Sequence, residues 1–158
     1  MIREITDSND PAWEVVEVLF EEMYQFMAEH GLGLPLTEGG ASQWIGSVKK
    51  GLGRFGLVFI CADDDEITGF SHGSIKLSPD YLGNKKIGVI THVHVKDKHR
   101  TKGSGTALVK ALEQWFEKQQ VHSVELQVLS ANNYAIRFWE KLGYSQELHQ
   151  YRKNIGEL

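Results

Sequence analysis

Apolar positions recur along this chain with two alternating periods. Ala12, Val16, Leu19, Phe20, Met23, Phe26 and Met27 fall three or four apart, and Glu14, Glu17 and Glu21 take the opposite side. That spacing predicts an amphipathic helix. Asp10-Pro11 supplies its start, with an N-cap side chain and a proline at the first helical position. Gly31-Leu32-Gly33-Leu34-Pro35 ends it. A short strand precedes it over residues 2–6. Ala41, Trp44, Ile45 and Val48 mark a second helix that stops at Gly51. The pattern then shortens to strands over 55–62 and 67–77. The charged turn Asp63-Asp64-Asp65-Glu66 joins them as a hairpin. A third long strand is predicted over 87–95, a helix over 106–120, a strand over 121–129 and a helix over 132–142. Gly143 suits the left-handed position after that last helix. A final strand is expected over 144–153.

This order predicts an α/β protein of the α+β type. Its central mixed sheet of about six to seven strands is mostly antiparallel. The sheet turns parallel around the 106–120 helix and carries helices on both faces. At 158 residues, with 41% apolar content, the chain is expected to form one domain over 1–158. No repeat or linker divides it.

Charge changes the picture more than composition does. Residues 1–66 carry 13 acids and 4 bases, and residues 67–158 carry 8 acids and 13 bases. Two surfaces with different partners would explain the split, as would solvated helix faces. The single Cys61 excludes an internal disulfide and reads as a small core residue. No apolar run approaches the length of a membrane span, and no Lys/Arg-rich tract suggests duplex nucleic acid. The charged N-terminus lacks the pattern of a signal peptide. A cytoplasmic protein with no membrane or nucleic-acid partner is expected.

The chemistry concentrates in one segment. His92-Val93-His94-Val95 closes the third long strand. Lys96-Asp97-Lys98-His99-Arg100-Thr101-Lys102-Gly103-Ser104-Gly105-Thr106 leads into the next helix. Glycines let a ligand approach the backbone, and the first-turn amides at the positive end of a helix suit an anion. Lys98, Arg100 and Lys102 add charge. The spacing fits neither a Walker loop nor a dinucleotide fingerprint.

Arg100-Thr101-Lys102-Gly103-Ser104-Gly105-Thr106-Ala107 resembles the R/Q-x-x-G-x-G/A signature of the GNAT family of N-acetyltransferases. Asn132-Asn133-Tyr134-Ala135-Ile136-Arg137-Phe138-Trp139-Glu140-Lys141-Leu142-Gly143-Tyr144 is similar to that family's second motif, N-x-x-A-x-x-[LF]-Y-x-K-x-G-[FY]. The element order matches the family's fold along essentially the whole chain. The resemblance implies acetyl-CoA as cofactor and coenzyme A as product. It would be bound in a V-shaped opening between strands 87–95 and 121–129. Val93, His94 and Val95 would line its pantetheine arm, with Val93 and Val95 offering backbone groups. Arg100, Thr101, Lys102, Gly103, Ser104, Gly105 and Thr106 would cradle its pyrophosphate, and Asn132 would contact the arm. An amine would then attack the thioester directly.

His92 stands where many relatives carry a glutamate. It is a candidate base, directly or through water, because a neutral imidazole accepts protons near pH 7. His94, two residues on, shares its face. Either histidine could instead be a hydrogen-bonded strand residue. The family's tyrosine acid falls at Trp139, whose indole donates hydrogen bonds but is no proton source. Trp139 could still pack against the thiol end, leaving the thiolate to a hydrogen bond or to water. Tyr134 is a weak substitute on another side of the same helix.

The acceptor wall would be the first two helices. There Glu21, Glu22, Glu29 and Glu38 could attract a cationic amine, and Tyr24, Phe26 and Trp44 could supply flat contacts. The leading expectation is acetyl transfer to a primary amine of a small molecule, amino acid or peptide. An acyl-CoA sensor with little transferase activity is the alternative, favoured by Trp139. A metal-dependent enzyme using His92 and His94 is a third reading. Pairing into a homodimer is expected by analogy with relatives.

Overall fold

A computed structural model describes residues 1–156. Its elements run β1 (Ile2–Ile5), α1 (Ala12–Glu29), α2 (Gly40–Lys50), β2 (Gly56–Asp63), β3 (Glu66–Leu77), β4 (Lys86–Val95), α3 (Ser104–Lys118), β5 (Ser123–Leu126) and α4 (Asn133–Lys141). The five strands lie in sequence order, β1 to β5. All neighbours are antiparallel except β4 and β5, which α3 connects as parallel partners.

Alternation along the strands divides the core in two. Ile5, Val58, Ile60 and Phe70 point to one face and pack against Val16, Leu19, Phe20 and Ile45 of α1 and α2. Leu57 and Ile90 point to the other and pack against Val109, Leu112 and Phe116 of α3. Helix α3 sits very close to the sheet. A Cβ on Gly88 would lie 2.8 Å from the Phe116 ring, and one on Gly73 would lie 2.8 Å from Leu112. At the start of α1, Asp10 accepts the Ala12 N–H at 2.9 Å and also pairs with Arg3 at 2.6 Å.

Two expectations about strands are corrected. β5 covers Ser123–Leu126 only, shorter than 121–129. The strand expected over 144–153 does not form. Residues 145–156 are exposed and join no sheet among the described residues. The sheet is therefore one strand short of the smallest expected count. The apolar residues of that segment, Leu148, Tyr151 and Ile155, are 84%, 90% and 90% exposed, so the strand-like sequence finds no partner surface within its own fold.

Candidate active site

The site is organised by a β-bulge in β4. His72 of β3 pairs with His92, but Gly73 pairs with Ile90. Thr91 is the extra residue. A bulge adds one residue to one strand and so changes which face the following side chains take. Before it, Gly88 and Ile90 point to α3. After it, His92 and His94 point to α1 and α2, and Val93 packs with the α3 layer.

His92 is thereby placed among aromatic rings. Its ring lies 5.0 Å from Phe20 and 5.1 Å from Trp44, and its Nε2 is 3.4 Å from the Tyr24 hydroxyl. His72 stands beside it, 6.5 Å ring to ring, and is 5.5 Å from Trp44. The Thr91 hydroxyl contacts Nδ1 of both rings. Burial pushes the His92 imidazole down to about 3, helped by His72 nearby, and burial pushes His72 down to about 4. Both are therefore neutral at pH 7. Burial and the Arg100 charge lower His94 too, against an opposing pull from Glu22, whose carboxylate is 3.7 Å from His94 Nε2.

Beyond the Ile90–Leu126 pair, β4 and β5 part. Residues 92–95 of β4 keep their β3 partners, while their opposite edge has no strand beside it among the described residues. Backbone groups left open in this way can pair with an extended amide chain. The Val95 carbonyl accepts from Arg100 Nε at 3.0 Å. The loop after β4 bends through Thr101 and Gly103, at φ +72° and +84°. No atom lies within 4 Å of where a Gly103 side chain would start. The first helical bond of α3 runs from the Ala107 N–H to the Gly103 carbonyl. The amides of Ser104, Gly105 and Thr106 thus lack helical acceptors at the positive end of α3. Gly105 plays a different part from Gly103: a Cβ there would meet the Phe138 ring at 3.3 Å, so it lets α3 approach α4.

The loop's bases are not free. Lys96 and Lys98 reach Glu66 at 3.2 and 3.7 Å, Lys102 reaches Asp63 at 3.5 Å, and Arg100 pairs with Asp97 at 2.7 Å. The Arg100 guanidinium lies over the Phe26 ring of α1. His99 sits between Asp63 and Glu66 at 3.6 and 3.8 Å. The acidic β2–β3 turn therefore clasps the basic loop. These pairs are mostly exposed and individually weak.

On the other side of Tyr24 a cleft of about 430 Å³ opens between α1 and the α1–α2 connection. Glu21, Tyr24, Gln25, Leu36, Thr37 and Glu38 line it. Glu22 faces His94 instead. Asn132 caps α4, its Oδ1 accepting the Ala135 N–H at 3.1 Å. The Trp139 ring meets Phe138 and Tyr144 edge-on, at 5.1 and 5.2 Å, within the apolar layer of α3 and α4. Among the described residues, no group of three or more His, Cys, Asp or Glu side chains could hold a metal ion.

Residues 13–144 match the sequence model of the Acetyltransferase (GNAT) family. The chain belongs to the GNAT acetyltransferase family. An uncharacterized N-acetyltransferase, YobR of Bacillus subtilis (strain 168), is 32% identical over 66 residues, which are 41% of this chain and 27% of that protein. A mutant of the BH1408 protein from Bacillus halodurans superposes with a TM-score of 0.81, at 22% identity over 98% of this chain and 99% of that one. Aminoglycoside N-acetyltransferase AAC(6')-Iy, solved with CoA, gives 0.76 at 16% identity, over 98% of this chain and 95% of that one. Those two structures share the fold. No described helix is long and apolar enough to cross a membrane.

Within this GNAT chain, His72 and Thr91 are the site residues that sequence reading missed. No fixed turn joins β3 to β4, so the register that sets His72 beside His92 could not be counted. Tyr144 donates a hydrogen bond to Glu113 at 2.8 Å, and burial, with that carboxylate, raises its phenol above the ordinary value.

The neutral histidines make folding stability depend on pH. Both have folded values below the ordinary 6.5, so the unfolded chain binds their protons first as pH falls. Their contribution is complete above about pH 6.5 and is lost progressively down towards pH 4. At pH 5 the loss is about 2 kcal/mol per ring at most. Urea unfolding at pH 7 and pH 5 should show this drop, and His92→Gln should reduce it. A pH-independent difference between the two proteins would contradict the buried, neutral assignment.

Proposed function

We propose that this chain, as one domain over 1–158, transfers an acetyl group from acetyl-CoA to a primary, positively charged amine of a small molecule, amino acid or peptide. The observation that carries this reading is the line from the acidic cleft through Tyr24 to His92, beside the open edge of β4.

The residues fit the cofactor. The open edge at Val93 suits the pantetheine amides. The free amides of Ser104, Gly105 and Thr106 suit a pyrophosphate, with nothing over Gly103 to block it. Lys98 and Lys102 can exchange their weak carboxylate partners for phosphate oxygens. Acetyl-CoA, when bound, supplies a thioester whose carbonyl the amine attacks, forming C–N as C–S breaks. Glu21 and Glu38 attract the ammonium form of the acceptor. The Tyr24 hydroxyl, 3.4 Å from His92 Nε2, can take the amine's proton as it passes its own to that ring, and the ring's low proton affinity makes it a relay that releases the proton to water. Trp139, packed against Phe138 and Tyr144, stands at the family's tyrosine position and supplies no proton to the departing sulfur. The proton that finally neutralises the thiolate comes from water.

The AAC(6')-Iy fold match and a second one support a small cationic acceptor. The second is an aminoglycoside acetyltransferase from an uncultured soil sample, solved with sisomicin, with a TM-score of 0.70 at 17% identity over 99% of this chain and 96% of that one. A sensor that binds acyl-CoA with little turnover is the second reading, favoured by Trp139 at the tyrosine position. Thiol release with acetyl-CoA and a panel of polyamines, amino acids and aminocyclitols separates the two. His92→Gln is expected to lower kcat by about 10²-fold or more while the KM for acetyl-CoA holds. An unchanged kcat/KM across pH would sink the role of His92. No thiol release with any amine would favour the sensor.

The partner reading also extends to a second copy of the chain. The 145–156 segment is an exposed arm with three bare apolar side chains, and Arg152 lies against Gly33. β5 is a free sheet edge beside a groove of about 570 Å³ that includes Glu113 and Val124. Arg152-Lys153 of one arm carries charge opposite to Glu113 and Glu125 near the other copy's edge, which within their own chain meet Tyr144 and Lys76, and reciprocal strand addition would close a two-fold dimer. Sedimentation should give twice 17.9 kDa for the native chain and 17.9 kDa for Leu148→Asp/Tyr151→Asp. A native monomer at tens of micromolar would contradict this arrangement.

A further inference from the structure

The Thr91 hydroxyl touches both histidines of the site. Its oxygen is within hydrogen-bonding distance of His72 Nδ1, 2.9 Å from His92 Nδ1 and 3.2 Å from the His72 carbonyl oxygen. A threonine hydroxyl has one proton to give and two lone pairs to receive with. The carbonyl can only accept, so the hydroxyl proton goes there. Both remaining contacts then require N–H groups at Nδ1. A neutral imidazole carries one such proton, so Nε2 is bare on both rings. The Tyr24 hydroxyl faces His92 Nε2 at 3.4 Å and is placed to donate to that bare nitrogen.

We propose that Thr91 is a positioning residue whose hydroxyl locks His92 and His72 in the Nδ1–H tautomer and turns the His92 Nε2 lone pair towards Tyr24 and the acceptor cleft. The proposal rests on the reading of His92 as the proton acceptor. It also gives the bulge a chemical purpose. As the extra residue of β4, Thr91 lies between the two strands, where one hydroxyl can reach both rings and the β3 backbone. A regular strand would place residue 91 on the face opposite His92. Valine at this position would keep the shape and lose all three bonds. Each ring would then be free to carry its proton on either nitrogen, and the Nε2–H form of His92 cannot accept from Tyr24.

Long-range ¹H–¹⁵N spectra of the ligand-free protein read the tautomers directly, without turnover. The native chain should show protonated Nδ1 and bare Nε2 for His92 and His72. Thr91→Val should move His92 to a mixture or to the Nε2–H form. It should also lower kcat by about ten- to a hundredfold with the KM for acetyl-CoA unchanged. Thr91→Ser, which keeps the hydroxyl, should restore both readings and serves as the folding control. A native His92 protonated at Nε2, or a Thr91→Val protein that keeps the Nδ1–H signature, would overturn the lock. A tautomer change in Thr91→Val with kcat intact would support the lock and instead overturn the role of His92 as proton acceptor.

Discussion

One extra residue in β4 sets the chemistry of this protein. Without the bulge, strict alternation through Thr91 would put Gly88, Ile90, His92 and His94 on a single face. Gly88 and Ile90 must point to α3, because Phe116 occupies the space against them. The histidines would then be driven into the same apolar layer. The bulge sends them instead to the α1–α2 side, among Phe20, Tyr24 and Trp44. Pairing with β5 ends at Ile90, immediately before the bulge. Two features thus meet at this bulge: a ring pair on the α1–α2 side, and a β4 edge with no strand beside it among the described residues.

Burial fixes how those rings behave. Aromatic neighbours withdraw His92 and His72 from water, which keeps both uncharged. An uncharged ring needs a defined tautomer to act as an acceptor, and in the proposed lock the Thr91 hydroxyl would supply it, from its contacts with Nδ1 of both rings. Function, packing and pH-dependent stability therefore depend on the same few contacts.

Much of this was legible in the sequence, for identifiable reasons. Helix periodicity was clear because α1 and α3 each bury one stripe. The shared face of His92 and His94 followed from their two-residue spacing, and the loop after β4 carried its own motif. Long-range register was not legible. The partnership of His72 with His92 depends on strand pairing across an irregular 78–85 connection and on a bulge that no turn residue announces. The missing last strand has a similar origin, since Leu148, Tyr151 and Ile155 stay exposed and find no surface in their own fold. The charge asymmetry took on a different meaning. Asp63 and Glu66 of the acidic half clasp Lys96, Lys98 and Lys102 of the basic half, so part of each surface serves the other.

In the proposed function, the parting of β4 from β5 would form an acyl-CoA slot that continues to the start of α3. Amide hydrogen exchange with and without acetyl-CoA tests it most directly. The account predicts new protection at Val93 and over 104–106, with β1 and β2 unchanged. Unaltered exchange at those amides under saturating acetyl-CoA, or protection confined to another surface, would contradict it.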